Sequence, residues 1–265
     1  MRTTTHGIHL HFIDQGHSGP ALIFLHYWGG SSRTWAPVVA ALPQQQRSIR
    51  PDLRGWGDSA QPADGCYALS DFADDVAALI DRLQLDDYVL VGHSMGGKIA
   101  QLLASRRPCG LRALVLVAPA PPGPLALPAQ ALATMASAYE SRQSVEMAID
   151  HMLTATPLSP ALREQVISDS LRGAPAAKAA WPQSTSREDI RAAVERIDVP
   201  TLVIAGEYDQ VDPANTLRRE VVARIPQARL HILPGSGHLS PLEAPAEIAA
   251  LISGFIADLL PAKAL

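Results

Sequence analysis

The segment Val91-Gly92-His93-Ser94-Met95-Gly96-Gly97 sets a serine between two glycines, with an apolar run before it and a helix-patterned stretch after it. In that context G-x-S-x-G is a strand-to-helix turn, so tight that a Cβ at 92 or 96 is expected to strike the strand and helix flanking the serine. The turn strains Ser94 and lifts its Oγ above the sheet. It also puts the serine at a helix N-terminus, where unpaired N–H groups favour developing negative charge. The chemistry implied is covalent attack by a hydroxyl on an electrophilic centre. A hydroxyl is a weak nucleophile alone, so it needs an adjacent base and a third group to orient that base.

Such a serine needs a rigid frame, and the rest of the chain reads as one. Residues 3–14 form two short strands around His6-Gly7. Apolar runs then recur at 21–27, 47–52, 88–92, 111–118, 201–206 and 229–235, each short and bounded by turn residues. Between them lie helical patterns at 32–42, from Ser70 as N-cap through Leu83, and from Met95 to Arg107. A last amphipathic helix begins at Ala244. Alternating buried strands and helices imply an α/β fold, a mostly parallel sheet with helices on both faces. Residues 120–196 break the alternation: they hold no strand-like run, much Ala and Pro, and helical patterning at 129–153, 160–172 and 187–196. This stretch is expected to be a helical cap, or lid, over the sheet's C-terminal edge, inserted before the strand at 201–206. The domain reading is therefore 1–119 and 197–265 as core, with 120–196 as cap.

The chain resembles the α/β-hydrolase fold family, in its branch of small bacterial esterases, lactonases and perhydrolases. The resemblance spans nearly the whole chain. It rests on Gly92-His93-Ser94-Met95-Gly96-Gly97, Asp52-Leu53-Arg54-Gly55-Trp56-Gly57-Asp58-Ser59, Gly206-Glu207-Tyr208-Asp209 and Gly235-Ser236-Gly237-His238, in the right order and each at a strand end. The family's order of nucleophile, acid and base makes His238 the base, in a Gly-rich loop after the last strand. Asp209 is the orienting acid, three residues past the strand at 201–206. Its rivals are Glu207, nearer the strand and read as structural, and Asp212, which precedes Pro213 and reads as a helix N-cap. Ala118-Pro119-Ala120-Pro121-Pro122, where some members carry the acid instead, has no carboxylate. The resemblance also assigns the oxyanion hole to the backbone N–H groups of Met95 and Trp28. In the loop holding Trp28, Tyr27 replaces the glycine usual after His26, which restricts the backbone.

The implied activity is a serine hydrolase cleaving a small carboxylic ester or lactone through an acyl-enzyme, with no cofactor and no metal. Perhydrolase or haloperoxidase-type activity, carbon–carbon bond hydrolysis, aminopeptidase activity and cofactor-free oxygenation share the scaffold, as would a non-catalytic receptor. Trp28, Tyr27, Met135, Tyr139 and Trp181 are candidate substrate contacts, with Met147 and Met152 as further walls of an adaptable apolar pocket. Asp52 and Arg54 are expected to brace the loop beside the site, His26 to hold the oxyanion loop, and His93 to pack. His9 and His11 share a strand face but lack an acidic or thiolate neighbour in the sequence, so metal binding is not expected there.

Composition bounds the partners. The 265 residues are 47% hydrophobic and 18% charged, which excludes intrinsic disorder. A net charge of −4 and only short charge runs give no footprint for nucleic acid. The apolar stretch 119–138 is broken by prolines and cannot span a membrane. Two cysteines, Cys66 and Cys109, and no signal-peptide pattern fit a cytoplasmic protein acting on a small molecule.

Overall fold

The computed structural model describes residues 1–5 and 8–259. Among them run strands β1 (Arg2–Thr5), β2 (Ile8–Gln15), β3 (Ser18–Leu25), β4 (Gln46–Pro51), β5 (Tyr88–His93), β6 (Leu111–Val117), β7 (Thr201–Gly206) and β8 (Ala228–Leu233). They form one sheet in the order β1-β2-β4-β3-β5-β6-β7-β8. β1 and β2 pair antiparallel, as do β2 and β4; every later pairing is parallel. The expected His6-Gly7 turn lies outside the described residues. Crossovers between parallel strands carry helices α1 (Ala36–Ala41), α2 (Leu69–Arg82) and α3 (Met95–Ser105). Between β6 and β7 come α4 (Ala129–Ser137), α5 (Arg142–Ala148), α6 (Pro160–Arg172), α7 (Pro175–Gln183) and α8 (Arg191–Val194), and beyond β7 come α9 (Ala214–Leu217), α10 (Ser240–Glu243) and α11 (Pro245–Leu259).

Period-2 alternation sorts the strand residues between two cores. Leu22, Phe24, Val89, Val91, Val115 and Val117 face one side, packed with Val38 of α1 and Ile248, Ile252 and Ile256 of α11. Ile23, Leu25, Leu90, Leu114 and Leu116 face the other, packed with Phe72, Val76 and Leu79 of α2 and Ile99 and Leu103 of α3. The second core continues without a break into the helices between β6 and β7, through Tyr139, Val145, Val166, Ile167 and Trp181. Those helices are also tied by charge. Buried Asp169 of α6 accepts hydrogen bonds from Ser31 Oγ (2.9 Å) and from the Arg33 guanidinium.

Three local expectations are corrected. α2 begins at Leu69 with Ala68 in the cap position, because the Asp71 carboxylate accepts the Ala68 N–H at 2.8 Å; Ser70 lies inside the first turn. α7 occupies a stretch with no helical apolar pattern, started by Pro175 at its first position, where the missing N–H costs nothing. Asp212 caps no helix: α9 starts at Ala214 with Pro213 before it.

Candidate active site

Three strand ends converge on Ser94. The serine follows β5 with φ 52° and ψ −115°, a left-handed conformation in which a residue with a Cβ is strained. Its backbone is held on both sides: its N–H donates to Val117 O (3.2 Å), and its carbonyl accepts Lys98 N–H (3.1 Å) and Ala120 N–H (3.0 Å). The flanking glycines are needed for two different neighbours. A Cβ on Gly92 would lie 2.4 Å from Gly96 O, inside the turn itself. One on Gly96 would lie 2.4 Å from Leu25 O and 2.6 Å from His26 O. Contrary to expectation, the second contact is not with the flanking strand but with the end of β3, and it brings the turn against the start of the loop that carries Trp28.

The Ser94 hydroxyl lies 2.9 Å from His238 Nε2, and His238 Nδ1 lies 2.9 Å from Asp209 Oδ2. The His238 ring and the Asp209 carboxylate are buried, and Ser94 is 7% exposed. With Nδ1–H donating to the carboxylate, Nε2 is left to accept the hydroxyl proton. Burial opposes charge on His238 most strongly, but the Asp209 charge and hydrogen bond outweigh it and raise the imidazole above its ordinary value. Burial likewise works against the Asp209 carboxylate. The His238 charge and the N–H groups of Asp212 (3.0 Å) and Val211 (2.8 Å), both on Oδ1, overcome it and hold the acid below the ordinary range.

Supporting groups surround this chain. His93 packs as expected, and it also holds the His238 backbone, its Nε2–H donating to the His238 carbonyl at 2.8 Å. Burial, and next the His238 charge, push His93 down to about 3, so it is neutral. Glu243 accepts Gly237 N–H (3.0 Å), Ala155 N–H (2.7 Å) and Thr156 N–H (2.9 Å), joining the His238 loop to the segment after α5. Glu207 is structural, accepting Gly235 N–H at 2.9 Å. Asp52 and Arg54 brace as expected. Asp52 accepts Ser32 N–H (2.6 Å) and Asp58 N–H (2.9 Å), while Arg54 pairs with Asp75 at 2.7 Å. Sequence reasoning gave no role to Glu243, and no local signal marks it, since its partners are 6 and 88 residues away.

The loop after β3 is fixed from below and above. His26 Nδ1–H donates to Tyr27 O (2.8 Å) and Nε2 accepts Leu53 N–H (3.0 Å). The loop turns left-handed at Gly29, φ 99°, two residues past Tyr27, so position 27 has no need of glycine. Tyr27 is buried with its ring 5.2 Å from that of His93. Tyr139 donates its hydroxyl to Trp28 O at 2.9 Å and lays its ring 4.2 Å from the Trp28 ring, while Trp28 Nε1–H reaches Lys178 O at 3.2 Å. Trp181 is buried and Met135 half-buried in the same cluster. Met147 and Met152 are corrected: both are exposed, 54% and 46%. Met95 opens α3, where a first-turn N–H has no acceptor within its own helix.

His11 does have acidic neighbours, against expectation. It meets Asp52 at 2.8 Å, with Asp58 close by. Folding brings β2 against the 52–58 loop, a proximity no spacing predicts. The Asp52 oxygens there are already engaged by the two N–H groups and the imidazole.

Comparison with known proteins agrees with this fold. The family model described as alpha/beta hydrolase fold matches residues 20–245. The chain is 30% identical over 265 residues to the AB hydrolase superfamily protein YisY of Bacillus subtilis, covering 96% of this chain and 97% of that protein. It is 30% identical over 263 residues to a 2-hydroxymuconate semialdehyde hydrolase of a Pseudomonas species, covering 95% and 92%. Among solved structures, a thermophilic esterase from Thermogutta terrifontis is similar with a TM-score of 0.84 and 26% identity, over 98% of both chains. No helix of the described residues is long and apolar enough to cross a membrane.

Proposed function

The chain belongs to the α/β-hydrolase fold family, and on that premise we propose that it is a serine hydrolase cleaving a small carboxylic ester or lactone. The observation carrying this reading is the buried relay Ser94–His238–Asp209, with both links at 2.9 Å. His238 takes the hydroxyl proton as Ser94 Oγ attacks the carbonyl carbon. Asp209 keeps the accepting nitrogen free and stabilises the imidazolium. The carbonyl oxygen, now negative, accepts from the N–H groups of Met95 and Trp28. His238 returns the proton to the departing alcohol, then activates the water that releases the acid. Residues 120–196 act as a cap, and Trp28, Tyr27, Met135, Tyr139 and Trp181 set the apolar limits on the substrate. The free, exposed Cys66 and Cys109 suit a reducing compartment, and we assign the protein to the cytoplasm.

Hydrolysis of p-nitrophenyl esters with two to eight acyl carbons, by the native chain and Ser94→Ala side by side, tests the reading. Activity in the first and none in the second is expected. Equal activity in both would refute a serine nucleophile. One second reading has a specific observation behind it: the similarity to a 2-hydroxymuconate semialdehyde hydrolase favours carbon–carbon bond cleavage on the same relay. Turnover of a vinylogous diketone, with esters left untouched, would favour that reading instead.

A further inference from the structure

We infer that Asp212 is a specificity-determining residue of the Ser94 site, its carboxyl accepting a hydrogen bond from a hydroxyl or ammonium donor on the substrate. The inference rests on the serine-hydrolase reading of that site.

Buried carboxylates in this protein are otherwise engaged. Asp52 accepts backbone N–H groups, Asp75 meets Arg54, Asp169 meets Ser31 and Arg33, and Asp209 meets His238. Asp212 is 5% exposed, yet among the described residues its carboxyl takes part in no hydrogen bond or ion pair. A nearly buried acid without a protein partner is costly to the fold and gains from any donor brought to it. Its position is set by the site. The Asp212 N–H donates to Asp209 Oδ1 at 3.0 Å, which pins the residue beside the acid that orients His238. Its charged neighbours are His238, Asp209 and Lys98. Lys98 does not neutralise it. That ammonium is buried and spends two protons on Gly123 O (2.9 Å), before α4, and Ser186 O (3.0 Å), between α7 and α8. Burial, and then the Asp209 charge, push the Asp212 carboxyl up to about 7, against the pull of His238 and Lys98. The ionised group is thus poorly solvated and gains from a donor brought by a ligand, while it repels an anion.

The test compares kcat/KM of the native full chain, Asp212→Asn and Asp212→Val on four matched esters: ethyl butyrate, ethyl 3-hydroxybutyrate, ethyl 3-aminopropanoate and monoethyl succinate. The readout is each ester's rate relative to ethyl butyrate. In the native chain the donor-bearing esters are expected to exceed the succinate ester by roughly tenfold or more, the worth of one charge-assisted hydrogen bond. In Asp212→Val that ratio is expected to collapse to about twofold or less, with Asp212→Asn between. Thermal melting shows that the variants are folded, and removing an uncompensated carboxyl keeps or raises Tm. A ratio unchanged in Asp212→Val overturns the inference and leaves the serine reading intact. Labelling of Ser94 by a fluorophosphonate separates the two failures. No labelling removes the serine reading and this inference with it. Labelling without ester turnover moves the same comparison onto neutral, ammonium-bearing and carboxylate-bearing fluorophosphonates, whose labelling rates must show the same dependence on Asp212.

Discussion

Ser94 holds a backbone conformation that its own Cβ disfavours, φ 52° with ψ −115°, and holds it because Val117, Lys98 and Ala120 grip its N–H and carbonyl. A serine strained in this way costs stability. Ser94→Gly is expected to be more stable than Ser94→Ala by about 1 kcal/mol, since glycine adopts positive φ freely. Paired chemical denaturation curves measure this. Both variants should lose activity by about 10³ to 10⁶ in kcat. On the proposed serine mechanism the base next to it, His238, sets the pH dependence. His238 must be neutral to accept a proton, and Asp209 raises its pKa above the ordinary 6.5 despite burial. The rate should therefore rise with pH through a midpoint above 6.5. In Asp209→Asn the attraction is gone and burial remains, so the midpoint of the residual activity should move down. A midpoint that stays in place would detach Asp209 from His238.

At the scale of elements, the site depends on how closely strand ends approach. Gly96 lets α3 press on the last carbonyls of β3, and this one contact sets the serine turn beside the Trp28 loop. A methyl group 2.4 Å from Leu25 O cannot be absorbed by a flexible side chain, because the obstacle is backbone. Gly96→Ala is expected to cost about 2–3 kcal/mol, a fall in Tm of about 4–10 °C by calorimetry. A variant melting with the native protein would show that the turn has slack. Elements with a strong period were legible beforehand: β5, β7 and α3 appear close to their expected bounds. α7 was not, because its Ala-rich sequence carries no apolar stripe and its burial comes from Ala177 and Trp181 meeting a surface built by distant residues. The start of α2 slipped because an acidic side chain reached back to Ala68 and did the work expected of Ser70.

Taken whole, the molecule buries two imidazoles, His93 and His26, whose protonation burial opposes. His93 is held to about 3 by burial and then by the His238 charge, and burial also lowers His26. Below 6.5 the unfolded chain binds protons that these folded imidazoles refuse, so their contribution to stability rises with pH from about 3 to 6.5, while Asp212, pushed up to about 7 by burial, keeps a proton in the folded state and works in the opposite direction. Above 6.5 His238 works in the other direction, because its raised pKa lets the folded state keep a proton the unfolded state has lost. In Asp212→Val, where that opposing carboxyl is gone, the urea midpoint is expected to drop between pH 6.5 and pH 5. His93→Asn should flatten that drop by up to one proton's share of the slope. An identical slope in the variant would mean that His93 titrates in the fold as it does outside it.

From the sequence alone one could read the layered α/β frame and the serine turn, because each depends on local pattern: alternation for strands, glycine for a tight turn; His238 and Asp209 came from the order of motifs that the resemblance implies. Resemblance to the hydrolase family joined those local readings into one site. Tertiary structure decided what depends on residues far apart in the chain. It decided that Gly96 answers to β3, that Glu243 ties the His238 loop to residues 155 and 156, that Tyr139 covers Trp28, and that His11 meets Asp52. It also turned Asp212 from an expected helix cap into a buried acid beside the relay. Spacing along a chain reports a residue's own element, whereas desolvation and charge depend on every group that folding brings within a few ångströms.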